Sequence, residues 1–139
     1  MKVSHFKSAA KKGFSLVEVL AAVGIIGIIA FLAIPNIVAI KEDSERNLAI
    51  SKAEAVNMAI ASYIGAKGRD TAVADYAAAT TENMRYRELT PYLSFAPTNL
   101  SDYKPNGFAL DLPNDLTNLS KTVLKYENAD GTAGSTIAY

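Results

Sequence analysis

Hydrophobic residues are concentrated in one long block near the start of the chain. Residues 14–40 (FSLVEVLAAVGIIGIIAFLAIPNIVAI) are apolar apart from Ser15, Glu18 and Asn36. As an α-helix this block would be roughly 40 Å long, whereas the hydrocarbon core of a bilayer is about 30 Å thick. The pattern therefore predicts a helix that spans a membrane, followed by a chain of ordinary soluble character.

The apolar block continues into an amphipathic segment, residues 41–67. Apolar side chains recur there at helical spacing and predict one buried stripe, which consists of Leu48, Val56, Ala59, Ile60, Tyr63 and Ile64. We therefore predict one long helix from about Phe14 to Ile64.

Glycine and proline punctuate this predicted helix. Pro35 lacks a backbone N–H and clashes with the carbonyl one turn back, so it predicts a kink. Gly24 and Gly27 soften the stretch before it, and Gly65 and Gly68 supply the C-terminal stop. The alternative interpretation is that glycine and proline are simply common in membrane helices.

The remaining segment, residues 68–139, predicts a small globular domain. Residues 69–93 fit one or two short helices, and residues 94–106 are typical of a loop. Three candidate strands follow at residues 107–112, 121–126 and 135–139, with turn residues between them. The predicted fold is α+β, with the long helix packed against a three-stranded antiparallel sheet.

Charge is distributed unevenly, although the whole chain has a formal net charge of zero. Residues 1–13 carry four lysines and no acid; without them, ten basic residues face fourteen acidic ones, a net charge near −4. A basic flank before a membrane helix predicts that the N-terminus stays in the cytoplasm and the C-terminus lies outside. No basic stripe interleaved with aromatic residues indicates nucleic-acid binding.

The junction KKGFSLVEVL is the most specific motif in the chain. A basic leader ends at Gly13, the large apolar residue Phe14 follows, and a single carboxylate, Glu18, lies just inside the apolar block. In these features the chain resembles the type IV prepilin family, which includes type IV pilins, competence pilins and type II secretion pseudopilins. The resemblance implies cleavage after Gly13 by prepilin peptidase and N-methylation of Phe14.

Glu18 also has a physical argument of its own. A carboxylate at the centre of a membrane helix costs about 2.5–3.5 kcal/mol, and less near the interface, so it needs a partner or a role. Cleavage would create the α-ammonium of Phe14 at the same depth, and pairing between staggered chains would favour one axial register. We therefore interpret Glu18 as the assembly salt-bridge residue. The alternative is a stray acid at the interface.

The resemblance further implies the partners of the chain. They are bilayer lipid, prepilin peptidase, an inner-membrane assembly platform, other pilin-like subunits and further copies of this chain in a filament. The expected location is the inner membrane, then a filament outside it. The chain has no cysteine and no tryptophan, residues that many pilins or pseudopilins carry, so a pilus, a secretion pseudopilus and DNA uptake all stay open.

Other functions are weighed against this one. A plain signal anchor that carries a monomeric binding module is the main alternative, since the block is too long for a cleaved secretory signal. An enzyme is not expected, because His5, the sole histidine, lies in the predicted leader. No cofactor is expected. Calcium could bind turn residues, although such residues usually cap their own backbone; they are Asp111, Asn114, Asp115, Asn128 and Asp130. Tyrosines are expected in the core or at subunit contacts; they are Tyr63, Tyr86, Tyr92 and Tyr103.

Overall fold

The computed structural model of the chain describes residues 13–139. Its internal contacts divide the chain into two units, Met1–Lys41 and Glu42–Tyr139. Helix and sheet occur in succession, with helices α1 (Leu16–Lys67), α2 (Arg69–Ala78), α3 (Glu82–Leu89) and α4 (Leu100–Tyr103) preceding strands β1 (Phe108–Asp111), β2 (Val123–Glu127) and β3 (Ala133–Ile137). The predicted α+β, pilin-like class is confirmed.

Helix α1 begins at Leu16 and ends at Lys67, slightly later at both ends than predicted. Gly68, with a φ of +81°, ends it, and the Gly68 N–H donates to the Ile64 carbonyl at 2.9 Å. Glycine adopts this left-handed conformation without steric cost, as a helix stop requires. Gly68 thus has its predicted role, but the prediction for Gly65 is wrong, because Gly65 lies inside the helix.

The second half of α1 buries a narrow face made largely of small residues. The buried residues are those predicted, Val56, Ala59, Ile60 and Tyr63, and in addition Ala49 and Ala53. Ile64, also predicted, is half-buried. Leu48 was expected in this stripe but is 51% exposed. The buried face begins only at Ala49, and small side chains there allow the other elements to approach the helix closely.

Short helices follow α1, as predicted for residues 69–93. The Thr81 hydroxyl caps α3 by accepting a hydrogen bond from the Met84 N–H at 3.3 Å, and a 3-10 turn, Thr90–Tyr92, extends α3. The predicted loop at residues 94–106 is wrong in one respect, because it contains α4. The proline and turn residues of that segment flank this single helical turn rather than exclude it.

The three strands form one sheet in the order β1-β2-β3, and the predicted three-stranded antiparallel sheet is confirmed. In the register of β1 and β2, Leu110 lies opposite Leu124, and Leu124 pairs in turn with Ile137 on β3. All three side chains are buried in the same hydrophobic cluster as the second half of α1. The burial of these three paired side chains shows that the sheet has its apolar face inward.

Polar contacts fasten the sheet region to α1. The Asn57 Oδ1 accepts a hydrogen bond from the Thr122 N–H at 2.8 Å, and the Asn57 Nδ2 donates to the Tyr139 hydroxyl at 3.3 Å. The Tyr139 hydroxyl donates in turn to the Thr122 carbonyl. One asparagine therefore positions both the segment before β2 and Tyr139, which lies two residues after the end of β3.

The C-terminal end of α1 is held by charged groups. Lys67 Nζ lies 2.8 Å from Asp75 Oδ2 and 3.4 Å from Glu88 Oε2. The hydrogen bond to Asp75 raises the pKa of Lys67 above its ordinary value, and burial raises the pKa of neighbouring Tyr63. Because solvent reaches all three charges, these pairs orient the helix end more than they stabilise the fold.

Candidate functional site: the N-terminal segment

The residues around the predicted cleavage point lie outside the helix. Gly13, Phe14 and Ser15 have no helical structure and are exposed, and the Phe14 side chain is 90% exposed. A peptide bond in such a segment is accessible, because no helical hydrogen bond must break before a protease binds it. The Gly13–Phe14 bond thus lies in an exposed, non-helical segment, and cleavage there stays a prediction.

Ser15 and Glu18 form a reciprocal pair at the start of α1. The Ser15 N–H donates to the Glu18 Oε2 at 2.8 Å, and the Glu18 N–H donates to the Ser15 Oγ at 3.2 Å. This is a capping box, in which two backbone N–H groups without helical partners are both satisfied. The sequence signal for this cap is the spacing S-x-x-E. The prediction for Glu18 considered only assembly and did not include the cap.

Between the capping box and Ile40, α1 exposes an apolar surface on all sides. Its most apolar 18-residue window has a mean hydropathy of 2.7, and none of that window is buried. The exposed large side chains of this segment include Leu20, Ile25, Ile28, Phe31, Leu32, Ile37 and Ile40. Soluble monomers rarely expose contiguous apolar surface on this scale, and the helix is long enough to cross a bilayer.

The predicted kink residues lie inside this apolar segment. Pro35 is within α1, and the Asn36 Nδ2 donates to the Leu32 carbonyl at 3.3 Å, one turn back. A β-carbon built at Gly24 or Gly27 would meet no atom within 4 Å, so neither glycine is required by packing within the chain. A kink at Pro35, softened by Gly24 and Gly27, stays a prediction.

The comparison with known families decides what this segment is. Residues 8–34 match the prokaryotic N-terminal methylation motif. The chain carries the type IV prepilin-like signal motif. The match covers the end of the basic leader, the Gly13–Phe14 junction, the capping box and most of the apolar segment, so the resemblance noted from KKGFSLVEVL is confirmed. Neither a curated protein nor a solved structure matches the chain.

The prepilin-like motif and the exposed helix support each other. The motif supports a type IV pilin-like or pseudopilin precursor that prepilin peptidase would process. The apolar segment of α1 provides the membrane anchor that such a precursor needs. Residues 1–12, including His5 and the leader lysines, lie outside the described residues, so the predictions for them have no structural counterpart.

The turn residues considered for calcium in this prepilin-like chain have local partners. Asp111 pairs with Lys125, and the Asn114 Oδ1 accepts a hydrogen bond from Arg85 at 2.9 Å. The three others bond within their own turns: Asp115 to Thr117, and Asn128 and Asp130 to Thr132. The hydrogen bonds from Thr132 lower the pKa of Asp130. Within residues 13–139, no group of three or more His, Cys, Asp or Glu side chains is placed to hold a metal ion.

The tyrosines are located where core packing was expected. Tyr63, Tyr86 and Tyr103 are buried, and Tyr92 packs edge-on against Tyr63 with ring centroids 5.8 Å apart. Burial raises the pKa of Tyr86 to about 12, so its hydroxyl stays protonated and donates to the Pro97 carbonyl at 3.1 Å. These rings build the core of the Glu42–Tyr139 unit.

Proposed function

We propose that this protein is a structural subunit of an extracytoplasmic filament, either a type IV pilus or a type II secretion pseudopilus. It is inserted with its N-terminus in the cytoplasm, cleaved after Gly13, N-methylated at Phe14 and assembled through α1. The single observation that carries the proposal is the bare apolar surface in the first half of α1, most of which belongs to the prepilin-like signal motif. Its role is structural rather than catalytic.

The apolar surface suits two environments in succession. Before assembly, bilayer lipid would cover it; after assembly, the same helices of neighbouring copies would cover it. Both environments keep apolar side chains out of water, so moving between them changes the buried apolar area little. Such a transfer has a small net free energy and can be driven in either direction by an assembly platform in the inner membrane.

Glu18 supplies the register between subunits in this proposal. Cleavage would create a cation on Phe14, and the Glu18 carboxylate of the next copy would bind it in a medium of low dielectric. The capping box does not prevent this pairing. A carboxylate has two oxygens with about four acceptor positions, so Glu18 can accept from the Ser15 N–H and from an ammonium together.

Two variants of Glu18 separate its charge pairing with a neighbouring copy from its role in the capping box. Glu18→Gln keeps an acceptor for the Ser15 N–H, because glutamine also completes a capping box, but it lacks the charge. Glu18→Ala lacks both. We expect both variants to be cleaved, and both to fail to form filaments, in cells that contain prepilin peptidase and an assembly platform. Electron microscopy and mass spectrometry of the mature chain measure the two steps.

Ser15→Ala is the matched control, because it removes one half of the capping box and leaves the charge in place. We expect Ser15→Ala to assemble. Filaments from Glu18→Gln would refute the charge-pairing proposal and leave Glu18 a helix cap. A membrane-bound protein that retains residues 1–13, without an added methyl group, would instead favour the signal-anchored binding module.

A further inference from the structure

Two residues in the described chain, residues 13–139, combine a left-handed backbone with a bulky apolar side chain. Phe95 has a φ of +54° and Leu119 a φ of +46°, and they are the non-glycine residues with positive φ in that range. This conformation is unfavourable for residues that carry a β-carbon. Backbone strain of this kind persists where the surrounding structure maintains it, and it often marks a functional position.

Phe95 projects fully into solvent. Its relative exposure is 103%, the highest among the exposed large hydrophobic residues. The loop that carries it is anchored on both sides, because the Tyr92 ring packs on Tyr63 and the Pro97 carbonyl accepts from the Tyr86 hydroxyl. An aromatic side chain held out on an anchored loop is a preformed contact, since little freedom is left to lose on binding.

Leu119 lines a groove beside α1. The groove has a volume of about 250 Å³ and is bounded by Ile60, Ala61 and Ile64 of α1 and by Leu119 and Lys121 of the segment before β2. Its lining is mainly apolar. An apolar cavity of about 150 Å³ is enough to bind benzene, so this groove has room for the ring of a phenylalanine.

The projecting ring and the groove lie on different flanks of α1. The loop of Phe95 is fastened near Tyr63 by the ring of Tyr92. Further along the chain, the backbone carbonyl of Tyr103 accepts a hydrogen bond from Lys52. Successive residues are about 100° apart around a helix. The groove residues Ile60, Ile64 and Ala61 therefore lie about 60°, 100° and 160° from Tyr63 around the axis. The groove thus faces a different flank from the one that holds the loop.

We propose that Phe95 of one copy inserts into the groove of a second copy, between Ala61 and Leu119. The contact deepens the proposed function and rests on it, since it joins the globular units of neighbouring subunits. A projection on one flank and its receptor on another make a head-to-tail contact, which repeats along a chain of subunits instead of closing in a symmetric pair. This geometry is the one that a filament requires.

The contact can be tested by cross-linking in assembled protein, because the natural sequence contains no cysteine. Ser94→Cys, at the exposed residue beside Phe95, and Ala61→Cys are introduced together in the full chain, so that the Phe95 ring is retained, and a short thiol-to-thiol maleimide reagent is added to cells. Each copy then has one reactive thiol at the projection and one at the groove. We expect a ladder of covalent dimers, trimers and larger species on a denaturing gel.

The matched control replaces Ala61→Cys by Ser62→Cys. Ser62 is exposed and adjacent in sequence, but it is not part of the groove, and its hydroxyl donates to the Met58 carbonyl. We expect the ladder to be lost in the pair Ser94→Cys and Ser62→Cys, which also retains the Phe95 ring. A ladder of equal strength in both pairs would overturn the proposal, because it would indicate general proximity and not insertion.

A second measurement uses filament yield. Phe95→Ser is expected to lose filaments and Phe95→Leu to retain them, because leucine still fills the groove. Position 95 is exposed, so neither substitution affects the fold. Filaments of the variant with Ser94→Cys and Ala61→Cys that give no ladder, or normal filaments from Phe95→Ser, overturn this contact and leave the proposed function intact. A parent chain that is not cleaved and forms no filaments overturns the proposed function, and this contact with it.

Discussion

The two halves of α1 have the same secondary structure but are stabilised by different environments. Before Lys41, large aliphatic side chains are exposed on all sides. After Glu42, one face is buried, and its members are mainly small or aromatic, such as Ala53 and Tyr63. Tertiary packing supplies most helical stability in water, whereas in lipid a helix forms because its backbone groups have no other partners. Helical pattern alone therefore does not reveal the solvent of a helix; the exposed surface does.

The comparison predicts that truncating a large side chain matters only in the packed half. Tyr63→Ala removes a fully buried ring and should lower the free energy of unfolding by about 3–5 kcal/mol. Chemical denaturation of the full chain in detergent, followed by the tyrosine signal of the Glu42–Tyr139 unit, measures this. Leu20→Ala, in the exposed half, should leave the denaturation midpoint unchanged, and an equal loss in both variants would contradict the comparison.

Introducing a charge should have the larger effect in the exposed first half of α1. Ile28→Lys places an ammonium in the apolar segment and should disfavour membrane insertion by about 2.5–3.5 kcal/mol. Extraction of membranes at alkaline pH measures the loss of the inserted fraction. Met58→Lys, at a residue that is 71% exposed in the Glu42–Tyr139 unit, is the control and should remain inserted. Equal extraction of the two variants would show that the segment before Lys41 is not in lipid.

The smallest predicted effect concerns pH and is confined to the packed unit. Burial raises the pKa of Glu82 above its ordinary value, although its hydrogen bond from the Leu112 N–H acts in the opposite direction. The folded chain therefore binds this proton more tightly than the unfolded chain. Glu82 favours folding at low pH, and this contribution is lost as the pH rises through its folded-state pKa.

Glu82→Gln tests this expectation, because it keeps an acceptor for the Leu112 N–H, which lies 2.8 Å from Oε1. The variant should be more stable than the parent at neutral pH, by less than about 1 kcal/mol for such a partly exposed group. The difference should shrink as the pH falls below the folded-state pKa. A stability difference that is independent of pH would show that Glu82 is not the titrating group.

Much of this architecture could be predicted from the sequence because its signals are local. The apolar block, the alternation in β1 and the turn residues between strands each determine their own element. Leu48 could not be assigned correctly, because its exposure depends on where the packed face begins. The helical turn Leu100–Tyr103 was hidden by the surrounding proline and polar residues.

The candidate site divides in the same way. Gly13, Phe14 and Glu18 were identified from a contiguous motif, whose match to a known family confirms the type of signal. The groove beside α1 could not be predicted, because Ala61 and Leu119 are distant in sequence and meet only in the folded unit. The left-handed conformation of Phe95 likewise has no local signal, since no glycine or asparagine marks that position.

The capping box has a consequence for proteolytic maturation. Both of its members, Ser15 and Glu18, follow the Gly13–Phe14 bond, so precursor and product share the same helix nucleus. Hydrolysis of that bond would then leave the secondary structure downstream as it was. The energy released by the reaction would then not be needed to refold the anchor, and a cleaved chain would have its helix start already formed.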